Sequence, residues 1–231
     1  MGAAATPFRS GPDVEPLFKA PSTFTKVFYR VRYRPWFWRG DFTSDWVWKN
    51  YSIWRRVLAP LRGSPTRIVE IGSFEGRSAV FFLKYLRRAT IVCIDTFEGT
   101  PEEGYVYELL EKQLPGIEAR FDRNVAPFGH RVEKIKSRSV PALNALVAQR
   151  RKFDLAYIDG GHRYEDVMAD SVAVWEMLEP GGILIWDDYE WAPEFPPAER
   201  PQPAIDDFLR SHAGHYQLLA KGYQVIVQRS R

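Results

Sequence analysis

The sequence predicts an α/β fold in which helices cover both faces of a mostly parallel, seven-stranded sheet. From Arg67 onward, short apolar runs alternate five times with stretches of helical periodicity, and such alternation requires parallel strands joined by crossover helices. Two further apolar runs lie a few residues apart around Gly222, so they predict a C-terminal hairpin that adds an antiparallel strand at the edge. Acidic residues also end several apolar runs, at the positions where α/β sheets bind ligands.

The individual elements follow one another in a regular order. The predicted strands are the runs RIVEI, TIVCI, RVEKI, FDLAYI and GILIW, followed by the hairpin strands YQLLA and YQVIVQ. The predicted helices are GRSAVFFLKYLRR, a stretch from Tyr105 to Arg123, VPALNALVAQR, YEDVMADSVAVWEML and AIDDFLRSH. Short β-branched runs indicate the strands, and apolar residues three or four positions apart indicate the helices.

The N-terminal part has a different character, and it predicts an extension or lid over residues 1–42 before a single α/β domain over residues 43–231. Residues 1–22 hold Pro and Gly without periodicity, which is typical of a weakly ordered tail. From Ser44 to Leu61 apolar residues return at helical spacing, so this stretch predicts a helix with Ser44 as its N-cap.

Residues 26–39 alternate basic with aromatic side chains and contain no acid. This pattern favours a lid that packs on the domain and excludes water from a bound substrate. Two alternatives stay open, a contact with a membrane surface and a stacking surface for nucleic acid. Because five of the eight tryptophans lie between Trp36 and Trp54, the segment is also a candidate subunit contact in a homo-oligomer.

Composition excludes several classes of protein. The net charge of +3 creates no overall field that would attract nucleic acid, so we expect no nucleic-acid partner. Cys93 is the single cysteine, which excludes a disulfide framework. No apolar run approaches the roughly 18 residues of a membrane span, and the first residues lack the pattern of a signal peptide. We therefore expect a cytoplasmic protein.

The first strand is joined to the first helix by the stretch VEIGSFEGRS, which fits neither of the two common phosphate-binding loops. A dinucleotide fingerprint needs glycine where this chain has Phe74 and Arg77, and the spacing differs from that of a P-loop. Glu75 in the turn favours a ligand with a cationic centre. Asp95 ends the second strand, 23 residues after Gly72, and is placed to accept the hydroxyls of a ribose. A sulfonium nucleoside, S-adenosylmethionine, meets both requirements.

Acidic side chains also follow the fourth and fifth predicted strands. Asp159 ends one strand, Asp187 and Asp188 end the next, and His162 lies three residues beyond Asp159. The carboxyl ends of parallel strands share one edge, so the acids could converge on a hard cation such as Mg²⁺ or Mn²⁺. His162 is a candidate general base for a hydroxyl acceptor. Trp186 and Trp191 are expected to form one wall of the acceptor pocket, and the loop from Glu98 to Gly104 another.

Structural alternatives remain for each of these groups. Strand-end acids such as Glu70 and Asp95 are often merely solvated. His162 could cap the helix that starts near Tyr164, and a pair of acids after a strand often forms a turn. It is the combination of the acids with His162 that favours a metal site.

The motifs EIGSFEGRSAVFFL, IDTFEG and FDLAYIDGGHRYEDV…LEPGGILIWDD resemble those of class I S-adenosylmethionine-dependent methyltransferases. More narrowly, they are similar to metal-dependent O-methyltransferases of the macrocin and mycinamicin type, which act on macrolide sugars. The resemblance covers about residues 43–190 and implies a Rossmann-like fold. It also implies that the donor is bound through Glu70, Gly72, Ser73, Gly76, Ser78, Asp95, Thr96, Ser139 and Asp159. In the family the histidine acts as base and the acids bind magnesium, which here would be His162 and Asp159, Asp187 and Asp188.

Within this resemblance, Glu70, Gly72, Ser73 and Gly76 would hold the methionine part of the donor, Asp95 the ribose and Ser139 the adenine. The segment KSRSVPAL departs from the family pattern around Ser139. We therefore expect an S-adenosylmethionine- and Mg²⁺-dependent O-methyltransferase of a small molecule, including glycosylated natural products. The alternatives are a metal-independent N-methyltransferase of a small amine and a non-catalytic protein that binds a membrane or partner through its N-terminus.

Overall fold

The computed structural model describes residues 15–99 and 114–231, which form one seven-stranded sheet with helices on both faces. The strands are β1 (Thr66–Ile71), β2 (Ala89–Asp95), β3 (Val132–Lys136), β4 (Phe153–Ile158), β5 (Leu178–Trp186), β6 (Tyr216–Lys221) and β7 (Val225–Arg229). Their order across the sheet is β3-β2-β1-β4-β5-β7-β6. The strand order reverses between β1 and β4, which is where ligands bind in sheets of this kind.

Seven α-helices in the described part of the chain pack on the two faces of the sheet. They are α1 (Thr23–Tyr33), α2 (Tyr51–Val57), α3 (Arg77–Tyr85), α4 (Ile117–Val125), α5 (Ser139–Ala148), α6 (Tyr164–Met177) and α7 (Pro201–Ser211). Of the helix predicted from Tyr105 to Arg123, residues up to 113 lie outside the described part of the chain, and the rest is α4. Among the described residues, no helix combines the length and the apolar character needed to cross a bilayer.

The sheet is mixed, as predicted, but the antiparallel strand is not at its edge. Strands β1 to β5 pair in parallel, whereas β7 runs antiparallel to both β5 and β6. At this end of the sheet the edge strand is β6, because the chain turns after it and β7 pairs between β5 and β6. Val225, Ile226 and Val227 of β7 are fully buried, which fits a strand with neighbours on both sides.

Two hydrophobic clusters occupy the two faces of the sheet. One face carries α1 to α4 and the other α5 to α7. On β1, Ile68 belongs to the first cluster and Val69 to the second, because successive strand side chains point to opposite faces. Both faces of the sheet are therefore covered by packed helices. A ligand site is expected at the edge formed by the strand ends, because the faces are filled.

The N-terminal segment is more ordered than its composition predicts. Leu17 and Phe18 donate backbone hydrogen bonds to the carbonyls of Leu218 and Leu219. The stretch over residues 23–33, to which the sequence assigns no element, is the helix α1 with Ser22 as its side-chain N-cap. Residues 1–14 of the predicted weakly ordered tail lie outside the described part of the chain.

The helix expected from Ser44 begins later than predicted. Residues Val47–Asn50 form a 3₁₀ turn, and the α-helix starts at Tyr51. Ser44 caps nothing; its carbonyl oxygen instead accepts a hydrogen bond from Arg77 at 3.1 Å. Tertiary contact with the start of α3 therefore overrides the local capping signal.

An aromatic cluster connects the N-terminal segment to the sheet. The ring of Tyr51 stacks on Phe81 at 4.8 Å, and Trp54 packs edge-on against Tyr157 of β4 at 5.5 Å. The indole N–H of Trp54 donates to Gln224, in the turn before β7, at 2.8 Å. Trp54 is fully buried and thus joins α2, α3, β4 and the C-terminal hairpin.

We expect Trp54→Ala to lower the free energy of unfolding by about 3–5 kcal/mol, because it opens a large cavity and leaves the Gln224 side chain unpaired. Urea denaturation at neutral pH measures this change. The matched control is Trp38→Ala, since Trp38 is 76 % exposed. That control should change the unfolding free energy by no more than about 0.5 kcal/mol. Equal losses in the two variants would contradict the central position of Trp54.

Candidate active site

The predicted convergence of strand ends is present in the structure. The amide of Gly72 donates to the carbonyl of Ile94, and the amide of Asp159 donates to that of Ile71, both at 2.9 Å. The amide of Asp187 donates to the carbonyl of Ile158, also at 2.9 Å. These hydrogen bonds join each strand end to its neighbour across β2, β1, β4 and β5. The acids that follow the strands therefore lie along one edge of the sheet.

Gly72 is required at the end of β1 because the chain there passes very close to β4. Its φ is +80°, and a Cβ atom at this position would lie 1.8 Å from the carbonyl oxygen of Asp159. Any other residue would force the two strand ends apart. Gly76 also has a positive φ, and it precedes α3 where a Cβ would press against Phe121 and Val125. The two glycines therefore shape the turn.

Glu70 lies beneath this turn and is fully buried. Its Oε2 accepts a hydrogen bond from the hydroxyl of Ser73 at 2.7 Å, and Ser78 and the Cys93 thiol are also beside it. Its Oε1 is buried and has no hydrogen-bond partner among the described residues. Burial raises the pKa of Glu70 to about 7, against the lowering effect of the hydrogen bonds from Ser78 and Ser73.

Asp95 lies at the end of β2, as expected for a ribose acceptor, and it also organises the neighbouring backbone. Its carboxylate accepts hydrogen bonds from the amides of Phe74 at 2.7 Å and Phe97 at 2.6 Å. Both phenylalanines have a positive φ, an unusual conformation that these bonds help to hold. Burial raises the pKa of Asp95, although the amide hydrogen bonds oppose it. Thr96 follows directly, and its hydroxyl accepts from the amide of Glu98.

Glu75 does not present its negative charge to a ligand, contrary to the expectation from the first turn. Glu75 is buried, and its carboxylate forms an ion pair with Arg120 at 2.6 Å. The amide and hydroxyl of Thr43 complete its hydrogen bonds at 2.7 and 2.6 Å. Its charge is thus compensated inside the protein. Glu75 ties the segment that precedes α2 to α4, and it does not determine the charge of a ligand.

Ser139 begins α5, next to a second buried acid that the sequence analysis does not identify. Asp170 of α6 is fully buried, and Ser139 is beside its carboxylate. A Cβ on Gly160 would lie 3.7 Å from an oxygen of Asp170, so this acid is under the loop that carries His162. Burial raises the pKa of Asp170 to about 7. The sequence does not reveal that Asp170 is buried, because a single acid within a helical pattern is usually a surface residue.

The strand-end acids Asp159 and Asp187 are held together by Tyr157. The tyrosine hydroxyl lies 2.8 Å from Asp159 and makes a short contact with Asp187. Burial, and then the nearby carboxylates, raise the pKa of both acids. Tyr157 is missing from the predicted site, although its position two residues before Asp159 puts the two side chains on the same face of β4.

Asp188 pairs with His162, the candidate base. The imidazole Nε2 lies 2.9 Å from a carboxylate oxygen of Asp188, and the ring stacks on Trp191 with centroids 4.5 Å apart. Burial alone would raise the pKa of Asp188, but the hydrogen bond and charge of His162 hold it below its ordinary value. Asp188 has a φ of +58°, which aspartate tolerates better than most residues.

The acids therefore form a compact, electronegative cleft. It is lined by Asp159, Asp187, Asp188 and His162 together with the loop of Gly160 and Gly161. Among the described residues, no group of three or more His, Cys, Asp or Glu side chains is arranged so that it could hold a metal ion. The donor set is nevertheless of the kind that hard cations prefer, and a cation would relieve the mutual repulsion of the carboxylates.

The two tryptophans expected at the acceptor pocket both lie near the cleft of the acids. Trp186 is among the residues that line this cleft, although its side chain is fully buried and its indole N–H donates to Ser171 at 2.8 Å. Trp191 is in the expected place, against His162. Of the loop from Glu98 to Gly104, residues 100–104 lie outside the described part of the chain.

Tyr223 is a further site residue that the sequence analysis does not identify. It is beside Asp188, and its carbonyl accepts from the amide of Tyr189 at 2.9 Å. Because β6 and β7 meet in a hairpin, their turn lies at the same edge as the end of β5. The predicted hairpin was the available signal for this residue.

We expect the pH dependence of stability to reveal the buried state of Glu70. The folded chain keeps the Glu70 proton up to about pH 7, whereas the unfolded chain loses it near pH 4.5. The stability that protonated Glu70 contributes to the folded chain is therefore fully present below pH 4.5 and is lost as the pH rises towards 7. In Glu70→Gln the cost is absent, so the variant should gain about 2 to 3 kcal/mol relative to wild type between pH 5 and pH 8. Urea unfolding at both pH values measures the difference.

Comparison with known proteins identifies a family for the central part of the chain. Residues 69–189 match the family described as methyltransferase domain. An O-methyltransferase, hkm8, of Aspergillus hancockii is 27 % identical over 128 residues, which cover 55 % of this chain and 44 % of that protein. The uncharacterized protein R132 of Acanthamoeba polyphaga mimivirus is 28 % identical over 141 residues, which cover 56 % of each chain. The matches thus span only about half of the length of these relatives.

Solved structures share the fold at low sequence identity. The methyltransferase MycE of mycinamycin biosynthesis, in complex with Mg and SAH, has a TM-score of 0.59 at 14 % identity, over 92 % of this chain and 56 % of its own. The O-methyltransferase TomG of Streptomyces achromogenes, in complex with SAM, has a TM-score of 0.59 at 14 % identity, with 92 % of each chain covered. The O-methyltransferase NovP has a TM-score of 0.55 at 22 % identity, over 72 % of this chain and 73 % of its own.

The family match covers the first strand end, the second strand and both acidic strand ends, which are the parts that build the site. The fold is the class I methyltransferase fold that the motifs predict. The chain belongs to the family described as methyltransferase domain.

Proposed function

We propose that the protein is an S-adenosylmethionine- and Mg²⁺-dependent O-methyltransferase that acts on a hydroxyl group of a small molecule. The observation that carries this proposal is the clustering of Asp159, Asp187, Asp188 and His162 at the carboxyl ends of β4 and β5, beside the reversal of strand order. A hydroxyl can be activated by a cation that lowers its pKa and by a base that accepts its proton, and this cleft holds candidate ligands for the first and a candidate for the second.

The residues around the first turn fit the donor. The unpaired buried Oε1 of Glu70 is an acceptor that a hydrogen-bond donor could satisfy, and burial of a lone acceptor is otherwise costly. Each oxygen of Asp95 receives one amide hydrogen bond and keeps acceptor capacity for a ribose hydroxyl. With Gly72, Ser73, Gly76, Ser78, Thr96, Ser139 and Asp159, these residues form the proposed donor site.

The acids fit a hard divalent cation in charge and ligand type. Asp159, Asp187 and Asp188 would hold it, and bound there it would lower the pKa of an acceptor hydroxyl. Tyr157 already engages one oxygen each of Asp159 and Asp187, so its hydroxyl keeps these two side chains together before any cation binds. We regard Tyr157 as the residue that prearranges the two acids.

His162 is oriented to take the proton of the acceptor. Asp188 is ionised and can only accept, so the imidazole Nε2 carries the hydrogen and the lone pair of the neutral ring is on Nδ1. A bound donor would supply the methyl group, whose bond to sulfur would break as its bond to the acceptor oxygen forms, and His162 would take the hydroxyl proton. The carboxylate of Asp188 would stabilise the resulting imidazolium, and stacking on Trp191 holds the ring in place.

Glycosylated natural products are the proposed acceptor class. MycE has been determined in complex with Mycinamycin VI, and TomG is involved in tomaymycin synthesis. Their low identity to this chain supports the fold alone, so the acceptor class rests on the resemblance of the motifs. The cytoplasmic location and the lid role of residues 1–42 are further proposals of the same kind.

One observation favours a second candidate, a metal-independent methyltransferase of a small amine. Tyr157 already contacts Asp159 and Asp187, and in the described part of the chain no three His, Cys, Asp or Glu side chains are arranged so that they could hold a metal ion. A neutral amine is nucleophilic without a cation, so the cleft would then need only a positioned base.

We expect His162→Gln to lower kcat by about 100-fold or more while the affinity for S-adenosylmethionine stays unchanged, because the variant loses the proton acceptor and keeps the donor site. Release of S-adenosylhomocysteine with hydroxylated acceptors measures turnover, and calorimetry measures donor affinity. His215→Gln is the matched control, since His215 is exposed and distant from the site in the sequence. An unchanged kcat in His162→Gln would remove the base assignment.

We expect Mg²⁺ to bind the wild-type chain in calorimetry, and Asp187→Asn or Asp188→Asn to weaken that binding about tenfold or more, because each removes a charged oxygen ligand. Asp122→Asn is the control, since Asp122 is an exposed partner of Lys134. Activity that persists after exhaustive EDTA treatment would instead support the amine hypothesis.

A further inference from the structure

The outward face of α1 carries a continuous apolar stripe. Phe24, Val27, Phe28 and Val31 are 81 %, 46 %, 53 % and 67 % exposed. Their spacing of three and four residues puts them on one side of the helix. Exposed apolar residues are common singly, but four on one face of an eleven-residue helix form a patch that suggests a binding surface.

The opposite face of α1 already packs on the protein, so the stripe is not a misassigned core face. Tyr33 is buried and contacts Trp36, Tyr51 and Phe81 in the aromatic cluster. Tyr29 stacks on Tyr33 with centroids 5.9 Å apart. These contacts fix the rotation of the helix about its axis and leave the stripe pointing outward.

Arginine side chains flank the stripe. Arg32 follows on one side of the helix and Arg30 on the other, as a rotation of 100° per residue requires, whereas Lys26 lies nearer the face that packs on the protein. Arg34 and Arg39 continue the series beyond the helix, and both are exposed. No acidic residue occurs between Glu15 and Asp41. Asp45 pairs with Arg30 at 3.4 Å, yet the Arg30 side chain remains 51 % exposed.

This charge distribution selects among the partners that an apolar stripe could bind. A second copy of the chain, placed symmetrically on the stripe, would bring these basic residues against their own counterparts. A nucleic acid would satisfy the arginines but would leave Val27 and Val31 without an apolar partner. An anionic lipid surface meets both needs, because its acyl region takes apolar side chains and its headgroups take basic ones.

We propose that α1 docks the protein on an anionic membrane surface, with Phe24, Val27, Phe28 and Val31 in the interface and the flanking basic residues at the headgroups. Trp38, five residues after the helix and 76 % exposed, adds an aromatic side chain of the type enriched at such interfaces. This surface contact is independent of the methyl transfer reaction and requires no membrane-spanning segment.

The test is co-flotation of the full-length chain with vesicles of phosphatidylcholine alone or mixed with an equal amount of phosphatidylglycerol. We expect binding to the mixed vesicles that is about tenfold tighter than binding to neutral ones and that weakens as salt is raised. Phe24→Glu/Val31→Glu should reduce binding about tenfold by removing apolar contacts, and Arg32→Glu/Arg34→Glu by reversing charge. All four side chains are exposed, so thermal unfolding should be unchanged.

Val172→Glu is the matched control, because Val172 is 55 % exposed on α6, on the other face of the sheet, and should not affect binding. The proposal is overturned if wild type does not float with mixed vesicles, or if both double variants float as well as wild type. It is also overturned if Phe24→Glu/Val31→Glu converts a dimer to a monomer in sedimentation without vesicle binding by either form. Binding to duplex DNA or RNA with no vesicle binding would support the nucleic-acid alternative instead.

Discussion

The close approach of β1 to β4 is the constraint on which the site depends. Gly72 lets the backbone pass where a Cβ would lie 1.8 Å from the carbonyl of Asp159. Because of this contact, the turn that shapes the proposed donor site and the loop that carries Asp159 and His162 begin at the same place. The backbone hydrogen bonds from Gly72 to Ile94, and from Asp159 to Ile71, continue the alignment to both sides. A donor bound over the first turn would therefore be adjacent to the acids without any further movement of the strands.

Burial, more than surface charge, determines the chemistry of this edge. Glu70, Asp159 and Asp187 are removed from water, and their pKa values are raised as a result. Asp188 differs because the neighbouring imidazole of His162 stabilises its charged form. The edge thus contains carboxylates with distinct tasks: one shapes the turn, two gather beside Tyr157, and one orients the proposed base. When the surroundings give chemically similar carboxyl groups different pKa values, those differences indicate which group acts as acid and which as base.

The N-terminal segment contributes to the site through packing and has a separate outward surface. The following helix α2 supplies Tyr51 and Trp54 to the aromatic cluster, in which Trp54 packs against Tyr157. Thr43 and Arg120 enclose Glu75, so the segment is also tied to the first turn. The outer side of α1 makes none of these contacts and carries the apolar stripe with its basic flanks. This part of the chain therefore packs against the interior of the domain on one side and, as we propose, binds a membrane surface on the other.

The sequence by itself determined the alternation of strands and helices, the C-terminal hairpin, and the placement of Asp95, Asp159, Asp187 and Asp188 at strand ends, because these features depend on local periodicity and on the topology of parallel sheets. It also identified the family motifs, which the comparisons confirm. Only the tertiary structure decided which way each side chain faces and what it contacts. Glu75 bonds to Arg120 instead of facing a ligand, Trp186 is buried, and Tyr157, Asp170 and Tyr223 join the acids although their positions in the sequence do not identify them. The physical reason is that these contacts join residues far apart in the chain, whereas periodicity reports only on neighbours.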